Sequence, residues 1–160
     1  MKITLALGVL ALSLVPALAE RPQPSLSTSL GVCENTILRE PVLVYEYAGS
    51  TLVAQIDRTL YVYGDGSLKL AEAEADSLGR CLRAQTTPRE VALLRQALFD
   101  AGAMGLCDDA RRVMDVPLNT LTLFNGAQDA RAHTFSYWIG DGNYEAVDGL
   151  IQQFIVDKFP

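Results

Sequence analysis

The segment Thr87-Pro88-Arg89-Glu90-Val91-Ala92-Leu93-Leu94-Arg95-Gln96-Ala97-Leu98-Phe99-Asp100-Ala101-Gly102 decides the reading of this chain. A capping threonine, proline at the first helical position and glutamate at the third together satisfy orphan amides, as a capping box does. Val91, Leu94, Leu98 and Ala101 then recur at helical spacing, reinforced by Ala97. Gly102 and Gly105 offer left-handed residues to end the helix. A strong amphipathic helix is therefore expected between two stretches whose period is two.

Upstream, Val42, Val44 and Glu46 alternate with Leu43, Tyr45 and Tyr47, and Gly49-Ser50 breaks the run. From Leu52 to Tyr63 a β-rich segment places Leu60 and Val62 on one face and Tyr61 and Tyr63 on the other. Gly64-Asp65-Gly66 is a tight-turn signal, and Ser67 to Leu70 starts the return strand. Ala71 to Ala75 reads as an acidic loop, and Arg80 to Gln85 as another short strand. Downstream, Leu121 and Leu123 alternate with Thr120, Thr122 and Phe124, and Asn125-Gly126 marks a hairpin. Alternation resumes with His133, Phe135 and Tyr137. Gly140-Asp141-Gly142 ends that strand, and Asn143 is placed to cap a final helix whose stripe is Val147, Leu150, Ile151, Phe154 and Ile155. The order implies an α+β domain: a mainly antiparallel sheet of about five strands with two amphipathic helices packed on one face.

Lys2 followed by the apolar run Ile3–Leu18 and the small-x-small triplet Ala17-Leu18-Ala19 has the form of a cleavable secretory signal, residues 1–19. The run is too short for a stable membrane anchor. Residues 20–36, rich in proline and serine, read as a flexible leader, and 37–160 as a single domain. Without the signal, 141 residues carry 12 basic and 19 acidic groups, a formal charge of −7. An acidic exported chain repels phosphate backbones and anionic lipid heads, which argues against nucleic-acid partners and peripheral membrane binding. Secretion or residence in a periplasm is expected.

Three cysteines, Cys33, Cys81 and Cys107, cannot all pair within one molecule. The pairing favoured is Cys81–Cys107, whose loop of about 26 residues would contribute about 3 kcal/mol on the chain-entropy reckoning. Cys33–Cys81 and Cys33–Cys107 are the alternatives. The spacing of Cys33 from the apolar run, and Val32 before it, argue against lipid attachment.

Catalytic equipment is sparse. His133 is the only histidine and sits mid-strand. No Gly-x-Ser-x-Gly, His-x-x-x-His, Cys-x-x-Cys, Walker or dinucleotide pattern occurs, and no metal or other cofactor is implied. Asp141, Asn143 and Glu145 begin like a calcium loop, but Ala146 stands where glycine is needed and Gln152 where a bidentate glutamate is needed. Asp108-Asp109 before Arg111-Arg112 reads as a locally paired charged loop, and Glu72, Glu74 and Asp76 as a solvated acidic edge.

The tyrosines are more suggestive. Tyr45, Tyr47, Tyr61, Tyr63 and Tyr137 all fall in expected strands. With the helices over Val42, Val44, Leu60 and Val62, these tyrosines would line the opposite face as a binding surface, since tyrosine combines contact area with a polar tip.

From Val42 onward the layout resembles small bacterial inhibitor domains of the emfourin kind, which bind thermolysin-like metalloproteases. The shared features are a strand ending in glycine, a long strand, Gly64-Asp65-Gly66, Thr87-Pro88-Arg89-Glu90 opening a helix, then a hairpin and a C-terminal helix. The family's Gly-Gly-Phe-Ala-Gly stretch is replaced here by Tyr47-Ala48-Gly49-Ser50-Thr51, so no inhibitory residue carries over. The expectation is an exported, non-enzymatic protein that binds another protein, with inhibition of an extracytoplasmic hydrolase as its sharpest form. The alternatives are a small hydrolase using His133 with a nearby carboxylate, and a structural subunit of a cell-envelope complex linked through Cys33.

Overall fold

The computed structural model describes residues 27–30, 40–50, 55–74, 79–111, 113, 116–124, 132–138 and 140–160. The expected signal, Cys33, the domain start at 37, Asp76 and the Asn125-Gly126 turn lie outside them.

Among the described residues, seven strands and two α-helices follow one another as β1 (Ser27–Leu30), β2 (Leu43–Ser50), β3 (Gln55–Val62), β4 (Ser67–Glu74), β5 (Arg80–Gln85), α1 (Pro88–Asp100), β6 (Leu118–Leu123), β7 (His133–Trp138) and α2 (Glu145–Lys158). The strands form one sheet in the order β1-β5-β4-β3-β2-β6-β7, and every neighbouring pair is antiparallel. The α+β class and antiparallel sheet are as expected, with seven strands among the described residues where the expectation was about five. One of the seven comes from the leader, whose Ser27–Leu30 pairs with β5. Ala71 to Glu74, expected as loop, instead complete β4 against β3 and β5. Their small and acidic side chains are poor strand formers, but pairing on both sides overrides that preference.

Strands β2 to β5 form a meander, after which α1 carries the chain back across the sheet so that β6 pairs with β2. The tight turn between β3 and β4 depends on Gly66. Its φ is 88°, and a Cβ there would sit 2.2 Å from the Thr86 carbonyl oxygen. Asp65 supports the turn by accepting from the Ser67 amide at 2.9 Å.

The α1 cap forms as read. The Thr87 hydroxyl accepts from the Glu90 amide at 3.2 Å, and the Glu90 carboxylate accepts from the Thr87 amide at 3.1 Å. Gly102, at φ 83°, closes the helix with its amide on the Phe99 carbonyl. The cap of α2 differs from expectation. Tyr144 occupies the cap position without a side-chain bond, while the Asn143 amide is taken by Asp141 Oδ1 at 2.9 Å. Lys158 Nζ meets Glu90 Oε1 at 3.0 Å, joining the last turn of α2 to the first of α1.

One sheet face is apolar and covered by both helices. Its rows run across the strands as Leu123–Leu43–Val62–Leu68–Ala84 and Phe135–Leu121–Tyr45–Leu60–Leu70–Leu82. Against them pack Val91, Leu94 and Leu98 of α1 with Val147, Ile151 and Phe154 of α2. Each such fully buried Leu or Phe contributes about 1.5–3 kcal/mol relative to exposure. Glu72 is not a solvated edge residue: its carboxylate is held between Arg58 and Arg80 at the margin of this same face.

The Cys81–Cys107 bridge is not formed. Cys107 is a free, exposed thiol, whereas Cys81 is fully buried.

Candidate functional site

The phase of β2 separates the tyrosines. Leu43, Tyr45 and Tyr47 point to the helices, so Val44 and Glu46 take the other face. Tyr45 is 2 % exposed and Tyr137 0 %, both in the core, and Tyr47 packs half-buried against it. The five tyrosines therefore do not share a surface. Only Tyr61 and Tyr63 keep the outward phase expected of them. β2 alternates between two apolar rows, so either phase is compatible with its letters; the partners Leu60 and Leu121 decide.

Burial of two tyrosines needs partners for their hydroxyls, and α2 supplies one. Asp148 Oδ1 accepts from Tyr137 Oη at 2.9 Å, Asn119 Nδ2 at 2.9 Å and Tyr45 Oη at 3.3 Å. Gln152, one helical turn on, donates its side-chain amide to Tyr45 Oη at 2.7 Å. Asn119 Oδ1 is buried without a partner among the described residues. Burial, with the Asp148 carboxylate beside them, pushes both hydroxyls far above the usual phenol range. This cluster is polar but inward-facing, and it fixes α2 on the sheet.

His133 extends the row above that cluster. Its Nε2 lies 3.0 Å from the Leu106 carbonyl oxygen, so this nitrogen carries the proton and donates. The ring packs 5.6 Å from Phe135. Leu106 begins a strap along the free edge of β7. Asp108 Oδ1 accepts from the Ser136 amide at 2.8 Å, the Asp109 amide donates to the Ser136 carbonyl at 2.8 Å, and Trp138 Nε1 donates to the Arg111 carbonyl at 2.6 Å. The strap is itself pinned. Arg111 binds Asp109 and Asp141, holding the Asp109 carboxyl down at about 2, and Tyr144 Oη donates to the Cys107 carbonyl at 2.7 Å. Asp141, the first acid of the calcium-like pattern, is thus engaged: it faces Arg111 and the Asn143 amide. Among the described residues no cluster of three His, Cys, Asp or Glu side chains is arranged to hold a metal ion. Nor is any helix among them long and apolar enough to cross a membrane.

The second sheet face carries the remaining chemistry. Its rows read Thr134–Thr122–Val44–Tyr61–Lys69–Arg83 and Ser136–Thr120–Glu46–Thr59–Ala71–Cys81. Hydroxyls pair across β6 and β7, Thr120 with Ser136 at 2.9 Å and Thr122 with Thr134 at 3.1 Å. Trp138 and Leu118 extend these rows at one end, and Tyr63 continues beyond Tyr61 at the other. Lys69 Nζ lies 6.0 Å from the Tyr61 ring centroid.

Sequence reasoning missed Asp148, Asn119 and Gln152. A signal for them exists. Asn119 falls in phase with Leu121 and Leu123, and Asp148 and Gln152 lie at i, i+4 along the border of the α2 stripe. A polar residue in phase with buried ones implies a buried polar partner. Comparison of the chain with protein-family models and with curated protein sequences finds no match.

Proposed function

We propose that this is an exported, non-catalytic protein that binds another protein through the β3–β2–β6–β7 part of its second sheet face. The observation that carries the reading is that face itself. Tyr61, Tyr63 and Trp138 stand half-buried on it beside the paired threonine and serine hydroxyls, on the side away from both helices. Aromatic rings set among small hydroxyls supply contact area at low entropic cost, with adaptable hydrogen bonding around it. Inhibition of an extracytoplasmic hydrolase is the sharpest form of the proposal, in keeping with the emfourin-like order of elements. The hydrolase alternative is less well supported, because His133 spends its Nε2 proton on a main-chain carbonyl and lies against Phe135.

The test compares wild type with a Tyr61→Ser/Tyr63→Ser double variant and with Trp138→Ala. Each is used to capture proteins from an extracytoplasmic extract and is titrated against a panel of extracytoplasmic proteases. The expected outcome is a captured or inhibited partner whose engagement weakens at least tenfold in the tyrosine variant, while its thermal midpoint stays close to wild type. Unchanged engagement, or loss of stability alone, overturns the reading.

A further inference from the structure

On the β3–β2–β6–β7 half of the second sheet face, charge among the described residues has one sign. The charged side chains there are Glu46 and Asp57, while the basic Lys69 and Arg83 stand beyond them on β4 and β5. Glu46 is solvent-exposed in the middle of this half, between Thr59 and Thr120. It makes no hydrogen bond or ion pair with any described residue.

Trp138 bounds the same half at β7, in the row Trp138–Leu118–Ala48 that lies next to the row of Glu46. Its indole Nε1 is spent on the Arg111 carbonyl. Beside it along the β7 edge stand three acids, Asp108, Asp109 and Asp141, against one described base, Arg111. That guanidinium is itself taken, by Asp109 at 2.7 Å and by Asp141. At the other end of the face Tyr61 already has a cation of its own chain, Lys69 Nζ, 6.0 Å from its ring centroid. No cation among the described residues stands over Trp138, although tryptophan is the aromatic ring that binds cations best.

The spacing of the two unmet groups adds a geometric requirement. Glu46 and Trp138 are two strands and two residues apart, about 12 Å between Cα atoms on standard sheet spacings. Along an extended chain, same-side positions i and i+4 are about 13 Å apart.

We propose that the partner of this face presents an extended basic segment, with one Arg or Lys over the Trp138 ring and a second, four residues along, against Glu46. This rests on the binding reading above and gives its partner a chemistry. The segment crosses β6 between Leu118 and Thr120, where an aliphatic side chain and a hydroxyl meet it. The chain as a whole carries a formal charge of −6, so its field draws a basic segment in and turns acidic surfaces away.

Trp138 is the only tryptophan, so its fluorescence reads the site directly. The probe is the peptide acetyl-Arg-Thr-Val-Thr-Arg-Thr-amide, compared with the same peptide carrying glutamine in place of both arginines. The arginine peptide should change Trp138 emission saturably, and the glutamine peptide should not. Binding should weaken at least tenfold in Glu46→Lys, and several-fold as salt rises from about 0.05 to about 0.3 M. Because Glu46 is exposed, its variants should keep a thermal midpoint close to wild type. Asp157→Asn, on the exposed side of α2, removes the same charge as Glu46→Gln and should leave binding unchanged. An emission indifferent to the arginine peptide, equal binding of the glutamine peptide, or equal effects of Glu46→Gln and Asp157→Asn overturns the proposal. A captured partner that depends on Tyr61 and Tyr63 but not on Glu46 overturns the charge inference alone. Failure of both dependences overturns the binding reading with it.

Discussion

At the residue scale, Asp148 is the side chain on which most depends. One carboxylate oxygen takes three donors, two from tyrosines set in the core and one from the fully buried Asn119. Asp148→Ala leaves those donors unpaired out of water, and the expected loss is about 3 kcal/mol in urea denaturation with an unchanged m-value. Tyr137→Phe removes a donor together with its need, so about 1 kcal/mol is expected. An equal loss for the two variants would show that Asp148 does not act as the shared acceptor. The same burial has a pH consequence. With the folded-state affinities of Tyr45 and Tyr137 for their protons raised, the unfolded chain ionises first. Their contribution is complete below the ordinary phenol value near 10 and declines as pH rises beyond it. Ultraviolet titration of native protein should therefore leave at least two of the six tyrosines un-ionised until alkaline unfolding.

At the scale of elements, the start of α1 joins local code to tertiary contact. Thr87→Ala should cost about 1 kcal/mol through loss of the cap. Glu90 does more than close the box: hydrogen bonds from the Thr86 hydroxyl, Lys158 and the Thr87 amide lower its carboxyl from 4.5 to about 2. A depressed acid stabilises the fold above its unfolded value, and that contribution is lost as pH falls from about 4.5 toward 2. Glu90→Gln should flatten the acid limb of the stability–pH curve in that window. An acid limb identical to wild type would mean that the carboxylate is not held as described. The capping box and the apolar stripe were legible in the letters because they are encoded within a single turn. The link from Glu90 to Lys158 was not, because it joins residues 68 apart. For the same reason β4 was cut short. Ala71, Glu72 and Ala73 have little strand character alone, and become strand through two flanking partners.

At the scale of the whole molecule, the exposed edge of the sheet at β7 is managed by the strap Leu106–Arg111. Asp108 and the Asp109 amide occupy the Ser136 main-chain groups that would otherwise invite another strand. Asp108→Ala combined with Trp138→Ala should loosen the strap and produce concentration-dependent association in sedimentation. A strictly monomeric double variant would show that the edge is protected by other means. The letters Asp108-Asp109 and Arg111 read correctly as a paired loop, but their use as an edge cover requires β7 to be in place.

What the sequence determined by itself is whatever repeats at short range: the class, the two helical stripes, the Gly66 turn and the cap of α1. Each follows from periodicity or from backbone demands inside a few residues. Tertiary structure alone decided which face of β2 is buried, and with it the fate of Tyr45 and Tyr47. An alternating strand with apolar residues in both phases is degenerate until neighbouring strands set its register. The tyrosine surface expected from the letters shrank to Tyr61 and Tyr63 for that reason. Asp148, Asn119 and Gln152 emerged as the polar heart of the core, because residues of α2 and of the distant β6 acquire meaning together only once packing removes water from between them.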